Sequence, residues 1–132
     1  MTLQYIAGRG IRRSKLAYVQ QLLKGLIDPI ILSIINQLPT YGYQIVKELQ
    51  RRSGGSLKLK AGTIYPSLLR LEKNGLVSSK WQQVTQNRRR RYYRITEKGR
   101  RFLAGRLIEW QNFCVVVSRL MLEAKMVIDE PG

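Results

Sequence analysis

The chain has 132 residues, enough for one domain with a real core, and carries 24 lysines and arginines against 8 acids, a net charge of +16. With no histidine and one cysteine, it lacks the usual groups of acid-base, nucleophilic and metal chemistry, which speaks against an enzyme and against any cofactor or metal. The charge points to a polyanionic partner, nucleic acid first and an anionic membrane second, while the lack of a long apolar run and the unpaired Cys114 suit a soluble protein of a reducing cytosol.

Residues 1 to 11 contain Gly8 and Gly10, show little periodicity and read as an arm. From Ser14 to Lys24, Leu16, Val19, Leu23 and then Leu26 recur at three and four residues, a narrow apolar seam on a helix that Gly25 would stop. Such a seam suits a helix lying on its own domain as well as contact with a second subunit. Asp28-Pro29 reads as a helix start, with the carboxylate capping free N–H groups and the proline in the first turn, where its missing N–H costs nothing. The run IILSIINQL is then a buried central helix that ends before Pro39. Thr40 is placed to cap the next helix, in which Ile45 and Leu49 face inward, and Ser53-Gly54-Gly55 breaks it.

Between Ala61 and Gly75 a short helix has two unlike faces. Ile64, Leu68 and Leu71 fall on one side, and Thr63, Pro66, Arg70 and Lys73 fall roughly opposite. Pro66 either lies in the first turn or deletes one helical hydrogen bond. Gly75 supplies the positive φ that a helix C-terminus needs, and Leu76 can fold back over the last turn. The runs LVSSKWQQV and RRRRYYRIT follow as two β-type segments joined over Thr85-Gln86-Asn87, with Tyr93 and Ile95 on one face and Tyr92 and Arg94 on the other. Lys80, Arg88, Arg89, Arg90, Arg91, Arg94, Lys98, Arg100 and Arg101 share this stretch, where Glu97 is the only acid. A core helix beside a merely solvated hairpin would give the same local pattern. The lopsided charge favours instead a winged helix-turn-helix, with the helix in a DNA major groove and the hairpin across the phosphates.

Thr96 starts a long helix, with Glu97 well placed against its N-terminal dipole. Leu103, Leu107, Trp110, Cys114, Val117, Met121, Ala124 and Ile128 alternate spacings of four and three, a heptad pattern. Phe102, Phe113, Val116 and Leu120 form a second stripe, so one stripe is expected to pack on its own domain and the other on a partner subunit. The fold class expected is mostly α with a small β hairpin. Residues 1–27 form an arm and a helix in dimer contact, 28–95 a winged helix-turn-helix domain, and 96–132 a C-terminal dimerisation helix. The dimer contact is expected at Leu16, Val19, Leu23, Leu103, Leu107, Trp110, Cys114, Val117 and Met121.

The segments LLKGLIDPIIL, YGYQIVKELQRRSGG, AGTIYPSLLRLEKNGLV and RRRRYYRITEKGRR resemble the PadR family of bacterial transcriptional regulators, from about Gln21 to about Trp110. The resemblance implies a cytoplasmic winged-helix homodimer that binds operator DNA, usually as a repressor. It places DNA-facing residues at Tyr41 and Tyr43, at Lys60, Thr63, Tyr65, Ser67 and Arg70, and on the wing at Lys80, Arg88, Arg89, Arg90 and Arg91. It also puts Trp110 where some members stack an aromatic on a planar ligand, others responding to phenolic acids, although a large core or interface residue is the plainer role. The sequence departs from the family pattern at Leu69, which stands where a basic residue is frequent, and at Gln86-Asn87, which replaces a glycine-rich wing tip. The function expected is a repressor reading a pseudo-palindrome in double-stranded DNA, with Arg70 the best candidate for base readout and the wing arginines supplying affinity. The rival is a protein-interaction module, or one that binds nucleic acid without reading its sequence.

Overall fold

The computed structural model describes residues 21–129, with side chains as far as residue 123. The arm, Leu16, Val19 and the side chains of Ala124 and Ile128 therefore lie outside the described residues. Residues 21–23 are helical and 24–26 form a turn through Gly25, the expected stop. Helix α1 (Ile27–Gln37) is the centre of the core, burying Ile31, Leu32, Ile34 and Ile35. Its nearly unbroken apolar run follows from its surroundings, since other elements pack on several of its sides. Pro29 sits in the first turn as expected, but Asp28 is not the cap. The helix begins two residues earlier, Leu26 holds the N-cap position without a side-chain bond, and the Asp28 carboxylate turns away to another helix.

Helix α2 (Gly42–Arg52) buries Ile45 and Leu49 and ends at Ser53, after which Gly54 and Gly55 take positive φ. Thr40 does not cap it, because Tyr41 occupies the N-cap position. Thr40 is instead joined to the wing: its N–H donates to the Tyr93 carbonyl at 3.1 Å, and its own carbonyl accepts from the Tyr93 N–H at 2.7 Å. Its hydroxyl is buried and has no hydrogen-bond partner among the described residues.

Helix α3 (Ala61–Lys73) buries Ile64, Leu68 and Leu71 against this core, on the side their spacing predicts. Pro66 lies beyond the first turn, so of the two expected placements it takes the one that removes a helical hydrogen bond. The helix closes on Gly75 at φ 73°, with the Gly75 N–H donating to the Glu72 carbonyl and the Leu76 N–H to that of Leu71. These two bonds and the return of Leu76 into the core make a Schellman turn, which fixes where the wing departs.

The wing is a two-stranded antiparallel hairpin, β1 (Val77–Thr85) and β2 (Arg88–Ile95), with Val77 opposite Ile95 and an irregularity between Gln83 and Thr85. Tyr93 and Ile95 are buried and Arg94 is exposed, as the alternation requires. Neither Gln86 nor Asn87 takes a positive φ, so the tolerance of asparagine for that region is not used.

Helix α4 (Glu97–Asp129) starts at Thr96, whose hydroxyl oxygen accepts from the Gly99 N–H at 3.0 Å and donates to the Gly75 carbonyl at 2.7 Å. One side chain thus caps α4 and ties it to the end of α3. Gly99 is required there: a Cβ would lie 2.1 Å from the Leu76 carbonyl oxygen. Leu103, expected at the dimer contact, is 5% exposed and packs in the core of its own chain. Phe102 packs beside it, but Leu107, Trp110, Phe113, Val116, Leu120 and Met121 are all exposed. The expected split of two stripes around the helix is therefore replaced by a split along it: the first two turns pack on the domain and the rest stands clear of it.

Replacing Gly99 by alanine should destabilise the chain by about 3 kcal/mol, because the Cβ meets backbone that cannot rotate aside. Urea unfolding measures this, and a variant as stable as the native chain would contradict the close approach.

Candidate nucleic-acid interface

Opposite the buried face of α3, Gly62, Pro66, Leu69 and Lys73 form an exposed stripe, flanked by Thr63 and Arg70 on one side and Tyr65 on the other. Ser67 does not belong to this surface. It is 0% exposed and its hydroxyl donates to Asp28, because position 67 falls on the arc that faces α1. Arg70 is exposed but engaged: Nε donates to one Asp28 oxygen at 3.1 Å and Nη2 to the other at 2.9 Å. Burial pushes the Asp28 carboxyl up, but the hydrogen bonds from Arg70 and Ser67 and the charge of Arg70 outweigh it and hold the group below the usual carboxylate range. The same pair raises the guanidinium of Arg70 further. The fork expected to be free for base readout is thus tied to α1, and only its Nη1 edge carries no bond among the described residues.

The start of α2 closes one end of this face. Gly42 lies against Tyr65, and a Cβ there would come within 2.8 Å of the phenol oxygen, so the bare backbone at position 42 is what lets the ring sit down. Tyr41 meets the edge of Tyr92 at 5.4 Å between centroids, and the Arg90 guanidinium lies 4.3 Å from the Tyr41 ring. Tyr43 is exposed with the Lys47 ammonium 4.8 Å from its ring, and Lys60 is exposed at the N-cap of α3.

At the other end Glu72 joins α3 to the wing. It accepts from the Ser79 hydroxyl and, at 3.0 Å, from Arg91 Nη2. The bond from Ser79 first, with that from Arg91 and its charge, overcomes burial and lowers the Glu72 carboxyl below its ordinary value. Arg91 is therefore a strut within the protein, and differs from the free phosphate ligand that its place in the arginine run suggests. Lys80, Arg88, Arg89 and Arg90 have no acid partner among the described residues. Strand alternation divides the arginines. Arg89 and Arg91 each lie 5.6 Å from the centroid of Trp81, while Arg90 turns to Tyr41.

Trp81, Tyr92, Gly42, Asp28 and Glu72 were not among the expected site residues. Trp81 could have been found from the alternation of the strands, which sets it opposite Arg91. The two acids carry a subtler signal, since a chain with so few carboxylates places one within the recognition helix itself. On α4, Trp110 is exposed with the ring of Phe113 at 6.0 Å between centroids, and Cys114 and Val117 are half-buried, as is Leu23 in the helical stretch before α1. No group of three potential ligands could hold a metal among the described residues, and none of their helices is long and apolar enough to cross a membrane.

The sequence profile of the transcriptional regulator PadR-like family matches residues 31–105. A protein of Lysinibacillus sphaericus is 32% identical over 100 residues, covering 76% of this chain and 92% of that one. The structure of a transcriptional regulator from Clostridium thermocellum superposes with a TM-score of 0.70 at 33% identity, over 75% of this chain and 96% of that one. A PadR family transcriptional regulator from Eggerthella lenta gives 0.71 at 33% identity, over 80% and 89% of the two chains.

Both lowered carboxyls contribute stability that is complete above their unfolded values, about 4, and is lost as pH falls through the lower folded values. The urea midpoint of the native chain should therefore drop on acidification below pH ~4, and Asp28→Asn should flatten that drop. An acid limb identical in the variant and the native chain would contradict the Asp28 pairing.

Proposed function

Because the chain belongs to the PadR-like family of transcriptional regulators, we propose that it acts in the bacterial cytoplasm as a homodimeric repressor reading a pseudo-palindromic operator in double-stranded DNA. The observation that carries this reading is the union of two surfaces in one rigid piece. The exposed stripe of α3 lies together with a wing whose Lys80, Arg88, Arg89 and Arg90 have no acid partner among the described residues, and the bond network of Glu72 holds the two. In this reading α3 enters the major groove with Thr63, Tyr65 and the free edge of Arg70 toward the bases, while Lys60, Tyr41, Tyr43, Lys80, Arg88, Arg89 and Arg90 grip phosphates on either side.

The second copy is argued from α4. Leu107, Trp110, Phe113, Leu120 and Met121 are exposed along it, an apolar surface of the kind that marks a protein interface. Two such helices side by side would cover one another and set the two α3 helices about one DNA turn apart. Relief of repression by a small planar or phenolic ligand belongs to the same reading, since Trp110, exposed beside Phe113, is the ring on which such a molecule would stack.

A competition gel shift at physiological salt tests the proposal. A selected site should be preferred to bulk DNA by about a thousandfold or more. Arg89→Ala should weaken selected and random duplex alike, and in a dimer should lower the slope of log K against log salt by about 1.8, or ~0.9 for each phosphate that is no longer neutralised. Equal affinity for every sequence in a randomised pool would favour a module that binds nucleic acid through charge alone.

A further inference from the structure

We propose that Leu69 is a specificity-determining residue that reads the 5-methyl group of one thymine in each half of the operator. Leu69 is 70% exposed and stands at the centre of the α3 stripe. Its neighbours on that stripe leave it the most prominent: Gly62 has no side chain, Pro66 presents only a ring, and Lys73 belongs to the last turn. Tyr65, one turn earlier, lies against Gly42. At mid-helix, therefore, the group that reaches outward is a branched hydrocarbon.

A solitary exposed leucine is ordinary on a protein surface. This one occupies the face that would meet the groove, flanked by Tyr65, Arg70 and Lys73, and is left 70% exposed by the described residues. It neither donates nor accepts a hydrogen bond, so a phosphate offers it nothing. Among the groups that base edges display in the major groove, the thymine methyl is the apolar one. Leu69 would bury that methyl and would gain nothing from a G·C pair at the same position. Covering one methyl group is worth about fourfold in affinity, so two half-sites together give about fifteenfold.

The inference rests on the placement of α3 in the major groove, and the experiment separates the two. An operator is selected from a randomised duplex pool with the full chain, and each thymine of the half-site is then replaced, in both halves at once, by deoxyuridine, which removes the methyl and nothing else. The native chain should lose about fifteenfold at one thymine position. Leu69→Ala, a change at an exposed site whose fold is checked by circular dichroism, should bind the thymine operator more weakly and be indifferent to uracil there. If a preferred site emerges but no thymine is sensitive to its methyl, or if Leu69→Ala keeps the native sensitivity, the role of Leu69 is refuted while the operator reading stands. If no preferred site emerges, both fall.

Discussion

The recognition surface depends on how α3 is seated, and two carboxylates orient it. Asp28 reaches from α1 to the Ser67 hydroxyl and the Arg70 guanidinium, and Glu72 reaches from α3 to Ser79 and Arg91 of the wing. In a chain of net charge +16 these are scarce groups, and both are committed to internal geometry. Arg70 is 56% exposed, so its pair with Asp28 is screened by water and adds little to stability. Stability comes from burial instead: Ile64, Leu68 and Leu71 are each fully enclosed and each contribute about 1.5 to 3 kcal/mol. The apolar face holds the helix down, and the carboxylates fix its rotation and the angle of the wing beside it.

The end of α3 shows how closely this geometry is drawn. Gly75 turns the chain, Leu76 returns to the core, and the Leu76 carbonyl lies so near Gly99 that no side chain fits between them. Thr96 bonds to both sides of the same junction. Helix, wing and long helix are therefore joined at one point.

Much of this was legible in the sequence. The burial of α1 follows from its nearly unbroken apolar run and the inward positions of α2 and α3 from three-and-four spacing, and Gly75 and Thr96 announce their roles because a positive φ and a hydroxyl cap are local requirements. What was not legible depends on tertiary partners. Asp28 beside Pro29 has the form of a cap, and only the approach of Ser67 and Arg70, some forty residues on, explains why it faces elsewhere. Thr40 fails as a cap for a similar reason, since Tyr93 claims its backbone. The family resemblance sets Ser67 among the DNA-facing residues, yet its arc of the helix is covered and its hydroxyl is bonded to Asp28 of α1. The four-arginine run hides a division of labour, since Arg91 braces Glu72 while Arg88, Arg89 and Arg90 have no acid partner among the described residues. On α4 the heptad was plain, but spacing around a helix carries no information about how far along it the domain extends.

The central claim is that α3 and the wing form the DNA-binding face. Titrating the 15N-labelled chain with a duplex and following backbone amide shifts tests it most directly. The account predicts changes concentrated between Lys60 and Lys73 and around the wing tip from Lys80 to Arg90, saturating at two chains per duplex. Shifts confined to α4, with α3 and the wing undisturbed by DNA, would contradict it.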